Sequence, residues 1–172
     1  SINLGQMGAE LDWGVLFDSR PLALKGYFRY EPASINNVSS GYEHLEGQPD
    51  ICQIQMFLTD WTGPFRIKAY QNNPEFVDFT SKSILAHGEI TCNENTVGAE
   101  GAVNGYIPFV IPLEYRSLTQ PTYIVISAAA SRYGDYFVGG EGSTMYLDEL
   151  ELIYDPDQLT DEQFATVMKN IY

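Results

Sequence analysis

The chain has 172 residues, of which 44% are hydrophobic and 19% charged, and its formal net charge is −14. That length suits one domain with a core large enough to need no covalent staple, and the balance is far from that of a disordered chain. The negative charge makes nucleic acid and an anionic membrane surface poor partners, and no apolar run reaches the roughly 18 residues of a spanning helix.

The chain opens SINLGQMGAELDWG, and residues 1–11 read as a loosely held linker. A processed chain would begin in this way, so the lack of a visible leader leaves an extracytoplasmic setting open. Residues 22–31 (LALKGYFRYE) alternate: Leu24, Phe28 and Tyr30 share one face, Lys25, Arg29 and Glu31 the other, which is the pattern of a half-buried strand. A polar loop over 33–49 follows. Residues 51–59 (ICQIQMFLT) alternate again, and Asp60-Trp61-Thr62-Gly63-Pro64 makes a turn. Residues 65–70 form a short strand, 71–82 an irregular stretch and 83–92 the next strand. Over 103–116, Ile107, Phe109, Ile111, Leu113 and Tyr115 fall on one face. Residues 123–130 are apolar on both faces, as in a central strand, and 144–154 (TMYLDELELIY) form the last strand.

Short strands with turn signals between them and no helix among them predict an all-β antiparallel sandwich over 12–157. The tail, 158–172, departs from this. Thr160 and Gln163 have the spacing of a capping box, and Phe164, Val167, Met168 and Ile171 fall on one helical face. A short amphipathic helix packed on the same domain is expected there.

Signals of catalysis are sparse. The chain has two histidines, His44 and His87, and no Gly-x-Ser-x-Gly elbow. With 23 acidic residues, two carboxylates at glycosidase spacing would arise by chance, so the count does not mark an active site. The balance leans away from an enzyme, with glycoside hydrolysis as the chemistry to test if there is one. Cys52 and Cys92 both sit on apolar strand phases and read as buried thiols. A disulfide between them stays open if their strands are adjacent.

Two sets of residues are candidates for binding. Regular alternation through 144–154 puts Asp148 on the inward face, where a carboxyl must be hydrogen-bonded or hold a metal. One reading is a structural Ca²⁺ held by Asp148 with Asp18 or Glu10 and loop carbonyls. Others are backbone N–H partners for Asp148, or a bulge that turns it outward. The second set is aromatic: Trp61, Tyr70, Tyr106, Tyr133 and Tyr136, with Trp13, lie in or beside turns. Exposed rings stack on the C–H faces of sugars while Asn, Gln and Asp bond the hydroxyls. Rings that plug the ends of a sandwich would look the same in sequence. Trp61 is the ring expected to be most exposed.

Several segments, in order, resemble one family: DWGVLFDSRPLALKGYFRYEP, PDICQIQMFL, AHGEI and VNGYIPFVIPLEYRSLTQPTYIVISAAASRYGDYFVGGEGSTMYLDELELIYD. The shared marks are Arg20-Pro21, Gly26-Tyr27, Asp50-Ile51-Cys52, Ile111-Pro112-Leu113, Gly134-Asp135 and Gly142-Ser143-Thr144 with Asp148. The chain is similar, over about 12–155, to the putative carbohydrate metabolism domain of Bacteroidetes. The resemblance implies a galactose-binding-like jelly roll and a carbohydrate partner. It also implies a place outside the cytoplasm, in the periplasm or on the outer-membrane surface of a Gram-negative bacterium, beside an N-terminal immunoglobulin-like domain. Where the family has a Ser-Ser-Ser-Lys run, this chain has Ala129-Ala130-Ser131-Arg132. The function expected is a non-catalytic, carbohydrate-binding-like module, with a structural or adhesion module acting through the C-terminal helix, and a glycoside hydrolase, as alternatives.

Overall fold

A computed structural model describes residues 8–70 and 72–171. In chain order the strands are β1 (Gly8–Trp13), β2 (Val15–Leu16), β3 (Ala23–Glu31), β4 (Cys52–Thr59) and β5 (Phe65–Tyr70). After them come β6 (Ile84–Cys92), β7 (Ile107–Pro112), β8 (Glu114–Tyr115), β9 (Tyr123–Ala129) and β10 (Thr144–Ile153), and a helix, α1 (Asp161–Met168), ends the chain. All pairings are antiparallel. A three-stranded sheet, β10-β3-β7, faces a five-stranded sheet, β2-β9-β4-β6-β8, and β1 pairs with β5 as a separate ribbon. This is the expected all-β sandwich of jelly-roll type.

The core lies between the two sheets. Leu24, Phe28 and Tyr30 of β3 and Phe109 and Ile111 of β7 meet Ile54, Met56 and Leu58 of β4. The inward sets read from alternation in β3 and β7 are therefore the observed ones. The fully enclosed strand is β4, whose last six residues are all buried. Its other face carries Phe57, which packs with Ile84, Val125, Trp13, Trp61, Val77 and Phe79 in a second, smaller core. The β1–β5 ribbon and the segment after it thus roof the outer face of the five-stranded sheet. Residues 8–11, expected in the linker, belong to this roof: Gly8 pairs with Tyr70 and Leu11 with Ile67. Residues 1–7 of that linker lie outside the described residues.

Two expectations about strands change. β9 lies beside β4, but among the described residues it has no second neighbour beyond its short pairing with β2, and Ile126 is exposed. In β10 the register shifts between Asp148 and Glu151, and Glu149 takes a left-handed φ of 52°. This bulge reverses the inside–outside phase. Met145 and Leu147 point into the core, while Tyr146 and Asp148 point to solvent. Gly26 of β3 makes room for the bulge, since a Cβ there would lie 2.9 Å from the Leu150 side chain.

Family marks read as fold elements. Arg20 donates to the carbonyls of Ser117 and Thr119 and its guanidinium lies 4.6 Å from the Tyr115 ring centroid. The Tyr115 hydroxyl in turn donates to the Pro21 carbonyl at 2.5 Å, tying the entry to β3 to the exit from β8. The capping box on α1 is present, with Thr160 Oγ1 accepting from Gln163 N and Gln163 Oε1 from Thr160 N. Val167 is buried, and Met168 and Ile171 pack on the main core. The helix therefore closes the β7–β8 edge of its own domain. Among the described residues no helix is long and apolar enough to cross a membrane.

Candidate functional site

Where the roof does not meet the five-stranded sheet, a groove of about 480 Å³ remains, a size suited to a small-molecule or oligomer segment. Its floor is the outer face of β4 and β6. Successive outward positions put Gln53 and Gln55 beside Glu89 and His87, for Gln53 is across from Thr91, Gln55 from Glu89 and Phe57 from His87. Gln53 Nε2 donates to Glu89 Oε2 at 2.5 Å, and His87 Nε2 lies 3.3 Å from Gln55 Oε1. Gln55 is only 7% exposed, so its amide is a directed, partly desolvated group rather than a solvated surface one.

One wall comes from the roof, with Trp13, Ile67, Phe76, Val77 and Phe79. The Phe79 ring stacks on His87 at 4.5 Å and 21°. The opposite rim is the loop that follows β9, carrying Arg132, Tyr133, Asp135 and Tyr136, with Tyr42 from the β3–β4 loop. Tyr42 stacks on Tyr136 at 5.7 Å and 27° and tilts against Tyr133 at 5.5 Å. Phe76 meets Tyr136 at 5.2 Å from the other side. Arg132 lies over the Tyr133 ring at 5.5 Å, with Nη2 3.9 Å from Glu89 Oε1. Beyond the ring cluster is a smaller cleft of about 320 Å³, which Tyr42, Phe76, Asp135 and Tyr136 also line and to which Tyr70 adds its ring.

The rim loop is held from below by one buried carboxyl. Asp50, 2% exposed, accepts from Ser131 Oγ at 2.6 Å, Gly140 N at 2.8 Å and Ser143 Oγ at 2.8 Å, while its other oxygen accepts from Ile51 N at 2.8 Å. Two of the sequence marks, Asp50-Ile51-Cys52 and Gly142-Ser143-Thr144, thus meet at one hydrogen-bonded centre. The approach is close enough that a Cβ on Gly140 would lie 2.7 Å from the Ser34 carbonyl.

Burial sets the titration of the groove. It pushes the His87 imidazole below its ordinary value, so the ring is neutral in the folded chain near pH 7, with Glu89 opposing the shift. It raises the Asp135 carboxyl above the usual carboxylate range, although the residue as a whole stands at an exposed rim. The Tyr136 phenol is raised by burial first, then by Tyr42 and Asp135.

Of the aromatic residues singled out in sequence, Tyr133 and Tyr136 face the groove and Tyr70 the adjoining cleft. Trp61 does not: it is half-buried, tilted against Phe65 at 5.4 Å and edge-on to Phe57 at 5.9 Å, because the ribbon folds back over the turn that carries it. Tyr106 lies in the Val103–Tyr106 turn and lines neither cavity. The three carboxylates considered for Ca²⁺ stand on separate elements. Glu10 of β1 accepts from the Tyr70 hydroxyl and pairs with Arg66, and Asp18 lies between β2 and β3, its carbonyl accepting from Gln120. Asp148 faces solvent and caps the N–H of Glu149. Among the described residues no three His, Cys, Asp or Glu side chains are grouped to hold a metal.

Sequence reasoning did not assign Tyr42, Gln53, Gln55, His87, Glu89, Arg132 or Asp135 to a binding site. A signal for the floor was present. Gln53 and Gln55 occupy the outward phase of the alternating strand β4, and His87 and Glu89 that of β6 one strand away.

A family model described as "Putative carbohydrate metabolism domain" matches residues 2–153. The chain belongs to that family. The match covers the sandwich and stops at the end of β10, so α1 lies outside the matched residues. No curated protein matches the chain. Among solved structures, a putative glycoside hydrolase from Bacteroides thetaiotaomicron VPI-5482 is similar at 22% identity and a TM-score of 0.62, over 84% of this chain and 41% of that one. A putative glycoside hydrolase from Bacteroides vulgatus ATCC 8482 is similar at 23% identity and a TM-score of 0.60, over 84% and 56%. At such identities the likeness is one of fold, and this chain spans about half the length of either structure. The family description relates the chain to carbohydrate metabolism.

Proposed function

We propose that the groove binds a poly- or oligosaccharide, and that the chain serves as a non-catalytic module of an extracytoplasmic glycan-utilisation protein. One observation carries the reading. A cluster of rings, Tyr42, Phe76, Tyr133 and Tyr136, stands over a floor of directed amide, imidazole and carboxyl groups in a single groove. A pyranose offers apolar C–H faces and an equatorial belt of hydroxyls, so rings and amides together match both of its surfaces. The acidic chain favours a neutral or cationic sugar. The test is calorimetric titration and glycan-array binding of the whole chain. Saturable binding that Gln53→Ala weakens supports the reading, and no binding to any glycan across a broad panel refutes it.

A second reading, glycoside hydrolysis, draws on Asp135 and Glu89. Both carboxyls line the groove, and the raised Asp135 is of the kind that serves as a general acid. The names of the two similar structures add to it, although the half of each that this chain does not match has room for the activity named. Turnover of chromogenic glycosides that Glu89→Gln and Asp135→Asn abolish, with binding retained, would establish it over simple binding. The adhesion reading through α1 has less apolar surface to draw on, because Val167, Met168 and Ile171 pack on the sandwich while Phe164 of the same face stands exposed.

A further inference from the structure

Cys52 of β4 and Cys92 of β6 are direct Cα partners across an antiparallel pair. Residues so opposed project to the same face with Cα atoms about 4.5–5.5 Å apart, inside the range of roughly 4.4–6.8 Å that a disulfide spans. Both side chains turn inward, Cys52 within the main core and Cys92 packed against it. Both are free thiols. The Cys92 sulfur is bonded to the backbone of Glu94, donating to its carbonyl at 3.5 Å and accepting from its N–H at 3.4 Å.

We infer that Cys52 and Cys92 are a disulfide site: in an oxidising medium they join as a cross-strand bridge that closes a loop over 52–92. That loop contains β5 and the residues Phe76, Val77 and Phe79 that wall the groove, so the bridge clamps the base of the roof.

The chemistry is a two-electron thiol–disulfide exchange, and the oxidant is a disulfide of glutathione type. Cys92, the more accessible thiol, loses its proton and attacks the oxidant, forming a mixed disulfide and releasing one thiolate. Cys52 then loses its proton and attacks the Cys92 sulfur. The intramolecular S–S bond forms, the second oxidant thiolate leaves, and both thiolates take up the released protons. The two cysteines are oxidised and one oxidant disulfide is reduced to two thiols. Burial holds the Cys52 thiol up at about 12, so the second attack is slow in the folded chain and fast while the strand pair is still open.

The experiment is to refold the full chain in oxidised and reduced glutathione, then denature it, alkylate it with iodoacetamide and weigh it. The expected product is a monomer two hydrogens lighter than the reduced chain, without alkylation, and with one peptide joining Cys52 to Cys92. Its Tm should exceed that of the reductant-treated chain by on the order of 10 °C, and Cys92→Ser should show no response to reductant. Alkylation of both cysteines after oxidation, a glutathione adduct left on Cys92, or a disulfide-linked dimer would each overturn the assignment. The mass is read on the unaltered chain, so the result depends neither on a variant that folds nor on the glycan reading.

Discussion

The two outer faces of the sandwich have similar materials and different fates. The outer face of β10-β3-β7 presents Tyr27, Tyr146, Arg29 and Asp148, and a Lys25–Glu151 ion pair at 3.4 Å. The outer face of β4 and β6 presents Gln53, Gln55, His87 and Glu89. On the first, rings and charges lie open, with Tyr146 51% exposed. On the second, the ribbon and the loop after β9 cover part of the sheet and leave a groove between them. Aromatic and polar residues on a sheet are therefore not enough to make a site. What distinguishes the groove is a roof that desolvates a few polar groups and fixes their directions.

The strongest way to break this contrast is to release the rim. Asp50→Ala leaves two seryl hydroxyls and the Gly140 N–H without their buried acceptor, at a cost of about 3 kcal/mol. For a chain of this size that is a fall in Tm of roughly 6–12 °C. Glycan binding should fall with it, because the rim residues 132–136 lie between two of the donors. On the open face, Asp148→Ala removes only a local cap on Glu149 N and should stay within about 0.5 kcal/mol. Thermal melts of the two variants give the comparison, and equal losses would refute the claim that Asp50 organises the rim.

A finer break separates rings by what surrounds them. Tyr136 is 43% exposed yet is held between Tyr42 and Phe76, whereas Tyr146 has comparable exposure without the groove. Tyr136→Ala should weaken glycan binding about tenfold or more, tenfold being about 1.4 kcal/mol, and Tyr146→Ala should leave it unchanged. Titration of both against the same glycan decides the matter, and a matching loss for Tyr146 would move the site to the open face.

How much of this was legible follows from the range of each signal. β3 and β7 were readable because each is half-buried, so the pattern of burial is written in consecutive residues. The bulge at Asp148–Glu151 was not, because one extra residue inverts the phase without changing composition, and Asp148 passed for an inward residue. β1 passed for linker because its partner, β5, lies more than 50 residues away, and alternation says nothing about pairing at that distance. Trp61 sits in a sequence that signals a turn, and only the fold of the ribbon covers it. Asp50 stood inside a recognised motif, but its donors come from 131–143, and nothing local shows that the two segments meet. The site is assembled by just such distant meetings, so Tyr133 and Tyr136 could be named while the floor beneath them could not.

The smallest effect tests whether the roof also governs protonation. His87 lies under it, stacked on Phe79 and edge-on to Phe57, and burial lowers its pKa below the ordinary 6.5. In the unfolded chain the ring takes up a proton near pH 6.5, whereas in the folded chain it does so only at lower pH. Between those two values the unfolded state binds more protons, so this residue's contribution to stability is whole above pH 6.5 and is lost as pH falls through the folded value. Melts from pH 7.5 to 5 should therefore show a Tm that declines on the acid side, and His87→Gln should flatten part of that decline by removing the titrating group. His44→Gln serves as the control, since His44 is exposed in the Glu43–Leu45 turn. If His44→Gln flattened the curve as much as His87→Gln, the acid sensitivity would not come from the roofed face. A selective effect at His87 would tie proton uptake to the same desolvation that shapes the groove.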